Sequence, residues 1–274
     1  MAVQAAAAEP QAPEAETDSR DRSQSTSGYS PNYSGGDITR PENFFEVRAF
    51  DTASGTTKPT DTQTLVLRRG GAIALNDDWK IGWLASLPLL GREITASNPT
   101  TASREFGIGD VFLQGTLVER LNERWAYGFG TRLYTPTAED SLGTGRWQIM
   151  PGVGVRYTFL EYGEDTFFVP KLRYAVSFAG DPSRRNISET QFAPTLNIGL
   201  ADHWFLRFYD LYDVRVNFGA PVAGQTGRLF LPFDAAIGKK LADGIVLMLE
   251  ASVPMIKDYP VYNFKTDFRI KNEL

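Results

Sequence analysis

Trp125-Ala-Tyr-Gly-Phe-Gly-Thr-Arg-Leu-Tyr134 decides the fold. Trp125, Tyr127, Phe129, Thr131 and Leu133 fall on one face of an extended chain. Ala126, Gly128, Gly130 and Arg132 fall on the other, because successive side chains of a strand point to opposite sides. One row is apolar and the opposite row is small or cationic. The stretch follows Leu121-Asn-Glu-Arg, and Asn tolerates the tight dihedrals of a hairpin turn that the flanking apolar residues disfavour.

The same alternation recurs along the chain. Ile149, Pro151, Val153, Val155, Tyr157 and Phe159 oppose Gln148, Gly152, Gly154, Arg156 and Thr158. Leu229, Leu231, Phe233, Ala235 and Ile237 oppose Asp234, Ala236, Gly238 and Lys240. Tyr262, Phe264, Thr266, Phe268 and Ile270 oppose Asn263, Lys265, Asp267, Arg269 and Lys271. The turn recurs too, in Leu75-Asn-Asp-Asp-Trp79, Leu200-Ala-Asp-His-Trp204 and Leu241-Ala-Asp-Gly-Ile245, with a looser version in Glu161-Tyr-Gly-Glu-Asp-Thr-Phe167. Its spacing of roughly 40 residues is about two strands and one longer loop.

Strands are expected at 44–53, 62–75, 79–89, 106–121, 125–136, 147–160, 166–179, 190–201, 203–217, 228–242, 244–256 and 260–271. Short turns then alternate with longer Pro/Gly/Ser-rich loops throughout. The reading is all-β: a transmembrane antiparallel up-and-down β-barrel of about 12 strands. A soluble sandwich also alternates, but its strands are about five or six residues long. Here the polar rows also hold Arg and Lys in mid-strand beside glycines that leave them room, which suits an enclosed interior. No apolar run reaches the roughly 18 to 20 residues of a membrane helix.

Composition narrows function. The chain has 274 residues, a net charge of -5, no cysteine and one histidine. The charge disfavours nucleic acid. Without cysteine there is no thiol chemistry or disulfide, and one histidine cannot build a multi-histidine metal site. No cofactor and no metal are expected. Residues 1–42 are rich in Ala, Pro, Ser, Gly, Gln and Glu without apolar period, and are expected to be a disordered acidic arm ahead of a barrel at 43–274. No basic start or apolar stretch precedes Ala2 to Ala8, so a secretion signal is expected to have been removed already. An even strand count puts both termini on the periplasmic side of a bacterial outer membrane.

Trp79, Trp125 and Trp204 each directly follow a short turn and are expected at one water–lipid boundary, with Trp147 at the other and Trp83 deeper on the lipid face. The inward row is expected to hold Arg48, Arg68, Lys80, Arg120, Arg132, Arg156, Lys171, Arg173, Arg207, Arg215, Lys240, Lys265 and Arg269. Acidic partners, among them Glu46, Asp110, Asp213, Asp234, Glu250 and Asp267, are expected to be about half as numerous. Strict alternation from Trp204 points Asp210 at lipid unless a bulge intervenes. His203, the sole imidazole, sits in a short turn with no serine nearby and reads as structural.

Three further elements carry a resemblance: Gly107-Ile-Gly-Asp-Val111, Leu142-Gly-Thr-Gly-Arg-Trp147 followed by Pro151, and Phe192-Ala-Pro-Thr-Leu-Asn197. Over about residues 43 to 270 the chain resembles the outer-membrane proteins of the MetA-pathway of phenol degradation family, also labelled transporters. The resemblance implies an outer-membrane barrel that admits small aromatic or hydrophobic solutes. It carries no catalytic or binding residue across. The C-terminal Lys271-Asn-Glu-Leu274 departs from the aromatic last residue usual in such barrels.

The reading is therefore a non-enzymatic channel or transporter for small solutes, aromatic or anionic, through a narrow arginine-rich lumen. The alternatives are a structural barrel or envelope-complex partner with its lumen plugged by side chains, and, more remotely, an outer-membrane lipid hydrolase. The expected partners are outer-membrane lipid, an unidentified solute, and an envelope protein or a second copy, with no nucleic acid. A further expectation is that the acidic arm enters the basic lumen as a plug.

Overall fold

Each alternating stretch has one apolar row that must leave water, and a sheet that closes on itself supplies an enclosed interior for the other row. The computed structural model describes residues 38–54, 60–94, 103–139, 142–163, 165–210, 213–242 and 244–274. The expected arm lies outside the described residues up to residue 37, as do parts of three expected long loops, at 55–59, 95–102 and 140–141.

The strands run in chain order as β1 (Phe44–Ser54), β2 (Thr60–Ala74), β3 (Trp79–Ile94), β4 (Ser103–Ile108), β5 (Phe112–Arg120), β6 (Trp125–Tyr134) and β7 (Arg146–Thr158). They continue as β8 (Phe167–Gly180), β9 (Ser188–Gly199), β10 (Trp204–Phe208), β11 (Val214–Asn217), β12 (Leu229–Ala242), β13 (Ile245–Lys257) and β14 (Phe264–Glu273). Among the described residues these segments make twelve strands. β4 and β5 both pair with β3, and β10 and β11 both lie between β9 and β12. Every neighbour is antiparallel, and β1 pairs with β14 from Phe44↔Glu273 to Ala53↔Phe264, closing the barrel.

The expected strands 106–121 and 203–217 are therefore each interrupted, at 109–111 and, among the described residues, at 209, 210 and 213. At the second break Tyr209 adopts φ 53°, a left-handed backbone that reverses the alternation. Asp210 consequently turns inward and is buried, not exposed to lipid. Tyr262 is a second correction. It precedes β14 rather than belonging to it, and its ring is buried, whereas Phe264, Phe268 and Ile270 stay exposed.

The repeated turn has a repeated mechanism. Asn76 Oδ1 accepts the N–H groups of Asp78 at 3.0 Å and Trp79 at 2.8 Å. Asn122 Oδ1 accepts those of Arg124 and Trp125, both at 2.9 Å. The side chain thus stands in for backbone partners at the start of the next strand. Trp125, Trp147 and Trp204 are exposed and Trp79 is half-buried. Trp83 is exposed further along β3. The outer surface is a continuous apolar belt including Leu65, Ile81, Phe129, Val153, Phe233, Leu249 and Phe268. No helix among the described residues is long and apolar enough to cross a membrane.

Candidate functional site: the barrel lumen

At the long-loop end, inward residues of β1 to β3 (Phe50, Val66 and Leu90) meet Leu142, Val222, Tyr259, Val261 and Tyr262 from three loops, together with Phe230. Loop residues thus fold inward at this end and pack as an apolar cluster, the seal, against these three strands. Tyr259 fixes the seal, donating its hydroxyl to Glu189 Oε2 at 3.0 Å while accepting from Arg185 at 3.1 Å. Burial and the nearby Glu189 carboxylate push the Tyr259 phenol up from its ordinary value.

Below the seal lies a belt of charge. Arg269 is its hub, with Asp210 at 2.8 Å, Glu250 at 3.4 Å and both Glu46 and Asp267 at 3.5 Å. Arg48 pairs with Asp267 and Glu46, and Arg215 pairs with Glu189 at 3.7 Å. Glu46 also takes Arg68 at 3.3 Å, and Asp213 takes Arg173 at 2.5 Å. Each charge named here has an opposite charge within 3.7 Å, which offsets the cost of burying it.

Toward the short-turn end the belt opens into a cavity of about 140 Å³. Phe44, Phe167 and Phe205 line it, with Arg156, Lys171 and Arg207. The Arg156 guanidinium lies 3.7 Å from the Phe167 ring centre, and that of Arg207 lies 5.0 Å from Phe205.

The chain just before β1 enters this space. Ile38 and Thr39 are buried, and Pro41 lines the cavity. A Cβ on Gly128 would overlap the Ile38 carbonyl oxygen, and one on Gly154 would crowd the Ile38 side chain. The small inward residues of β6 and β7 thus give room to a second stretch of backbone as well as to arginines.

Nine of the thirteen expected inward cations are buried: Arg48, Arg68, Arg132, Arg156, Lys171, Arg173, Arg215, Lys265 and Arg269. Arg207 is half-buried in the cavity. Lys80 and Arg120 are exposed at the short-turn end, and Lys240 lies there too, paired with Asp165 at 2.6 Å. The structure adds Arg92, since β3 runs on to Ile94, past the expected end at 89. All six expected acids are buried, and Glu189 and Asp210 join them. Among the described residues ten buried cations therefore meet eight buried carboxylates, so the expected two-to-one excess is corrected. Glu189 lies one residue before the expected start of its strand, and only the break at Tyr209 brings Asp210 inside. His203 is exposed in the turn Ala201–His203, and no three His, Cys, Asp or Glu among the described residues are grouped to hold a metal.

A family profile described as "Putative MetA-pathway of phenol degradation" matches residues 44–228, from the first strand nearly to β12. The chain belongs to this family. Among solved structures, this MetA-pathway family member is similar to the COG4313 outer membrane channel from Pseudomonas putida F1. The TM-score is 0.69 at 15% identity, covering 90% of this chain and 99% of that one. It is also similar to the transport unit of the autotransporter AIDA-I from Escherichia coli, with a TM-score of 0.53 at 8% identity over 93% of this chain and 97% of that one. The NanC porin gives a TM-score of 0.50 at 10% identity over 84% and 98%. At these identities the likeness concerns the fold of the MetA-pathway member. No curated protein sequence is significantly similar to it.

Proposed function

We propose that this MetA-pathway family member is an outer-membrane channel for small solutes bearing an anionic group, aromatic ones included. The observation that carries the reading is a closed barrel with an apolar outside and an inner cavity whose lining holds seven cations against five carboxylates. Such an interior attracts anionic groups, as basic rings do in anion pores. Phe44, Phe167 and Phe205 in the cavity offer apolar surface to a ring. The thirteen cations named from sequence are the proposed solute-facing set. Both ends of β1 and β14 that lead to the chain termini lie at the short-turn end, which by the usual arrangement of such barrels is periplasmic. Lipid is then the partner of the outer face, and no catalytic step is assigned.

A second reading has support in the apolar seal and the paired belt: a barrel plugged by its own side chains, serving as scaffold or partner in an envelope complex. Reconstitution in planar bilayers separates the two. Discrete conductance steps and solute uptake into proteoliposomes are expected of the channel. A folded, inserted barrel with neither belongs to the scaffold.

A further inference from the structure

We propose that the outer wall of the barrel binds the phosphate group of a phospholipid at Arg69, in the leaflet on the short-turn side. The inference rests on the closed barrel and its apolar outer face, and it holds whether or not the lumen conducts.

Along β2, Thr64, Val66, Arg68 and Gly70 are buried on the inner row, and Leu65, Leu67, Arg69 and Ile73 belong to the outer one. Arg69 is thus an exposed arginine in a row whose other members here face acyl chains. Across the two seams it stands beside Phe45 of β1 and Ala85 of β3, and along its own strand beside Leu67 and Gly71. None of these can compensate a charge. Its Nη1 donates to the Phe44 carbonyl oxygen at 2.9 Å. Among the described residues the guanidinium has no second hydrogen bond and no ion pair, so most of its fork of donors is unspent. Arg68, next in sequence, is the contrast: it points into the lumen and meets Glu46 at 3.3 Å.

A cation on the lipid face is costly at the bilayer midplane and tolerated near its boundary. Arg69 precedes the end of β2 at Ala74 by five residues. A side chain of this length can leave its stem among acyl chains and carry its charged head outward to water. The bond to Phe44, the first residue of β1, turns the head toward the short-turn end. At that boundary the anion at hand is the lipid phosphate, whose free oxygens match the planar fork of a guanidinium. The long-loop end of the same outer row carries Asp61 and Gln63, which offer a phosphate no cation.

The test uses the full chain in detergent micelles offered dioleoylphosphatidylglycerol or digalactosyldiacylglycerol, the second of which has no phosphate. Native mass spectrometry counts the lipid retained. The wild type should keep phosphatidylglycerol several-fold better than the galactolipid. Arg69→Gln should lower phosphatidylglycerol retention about fivefold and leave the galactolipid unchanged. Arg69→Lys, which keeps the charge and loses the fork, should fall between the two. Excess inorganic phosphate should not displace the lipid. Equal retention of the two lipids, or phosphatidylglycerol retention that survives Arg69→Gln, overturns the proposal and leaves Arg69 to an acidic side chain of a neighbouring protein. Displacement by inorganic phosphate overturns it in favour of a site for the free ion. Should Arg69→Gln not fold, the wild-type comparison and Arg69→Lys still decide.

Discussion

Thr144 donates to Asp110 Oδ2 twice, through its backbone N–H and through its hydroxyl, each at 2.7 Å. The two residues come from separate sequence elements, Gly107-Ile-Gly-Asp-Val111 and Leu142-Gly-Thr-Gly-Arg-Trp147. Asp110 sits at the break between β4 and β5, and its Oδ1 also accepts the Ala138 N–H at 3.3 Å. This carboxylate holds the loop that delivers Leu142 into the apolar seal. Asp110→Ala should orphan those donors and cost about 1–3 kcal/mol. It would show as a lower unfolding midpoint in detergent and faster cleavage within the loop following β6; an unchanged midpoint would contradict the assignment.

Arg269 supports the belt by compensating four carboxylates. Arg269→Met should leave uncompensated buried charge and cost roughly 3–5 kcal/mol. Adding Asp210→Asn should recover part of the loss, because its contact at 2.8 Å is the shortest of the four. Equilibrium unfolding of the single and double variants measures this. No recovery would mean that Asp210 is compensated elsewhere.

The segment ahead of β1 narrows the lumen. Gly128→Val should displace Ile38 by direct overlap with its carbonyl. Single-channel conductance should rise, and deletion of residues 1–42 should raise it at least as much. Identical currents with and without the segment would end the plug idea.

In the short turns, Arg124 donates to Glu161 at 2.6 Å, and this hydrogen bond holds the Glu161 carboxyl below its usual range. A depressed carboxyl pKa stabilises the fold above the unfolded value of about 4.3 and loses that effect as pH falls through the folded value. The Arg124–Glu161 contact should therefore persist from neutrality to about pH 5 and release only in stronger acid. The Glu161 carboxyl resonance in an NMR titration reports it, and Arg124→Gln should return the carboxyl to its ordinary range.

Tryptophan depth tests the lipid contact of the outer face. Single-tryptophan variants retaining Trp83 should be quenched most by lipids brominated deep in the acyl chain, whereas those retaining Trp79, Trp125 or Trp204 should respond best to shallow labels. Equal quenching at all depths would argue against the assigned position of the barrel in the bilayer.

The twelve strands were legible because two independent periodicities agree: alternation within Trp125–Tyr134 and its counterparts, and the Asn or Asp turn between them. The inward position of Arg132, Arg173 or Arg269 follows from counting by twos. What counting could not reach is where the count is broken. Tyr209 adopts a left-handed backbone, so Asp210 moved from the lipid row to the hub of the belt. Tyr262 and Leu142 lie in loops, where no period applies, and only tertiary packing turns them into the opening. The balance of charge was missed for the same reason, since Glu189 and Asp210 sit where strands begin or break.

The seam between β1 and β14 joins positions as far apart as Phe44 and Glu273. No smaller cylinder is available to a chain cut short. Until its last hairpin has been synthesised, β1 offers a bare edge that any other extended polypeptide could zip onto. Biogenesis of this protein must therefore shield its first strand for nearly the whole length of translation and export, and a stop codon before Phe264 should yield aggregates or degraded fragments and not a narrower tube.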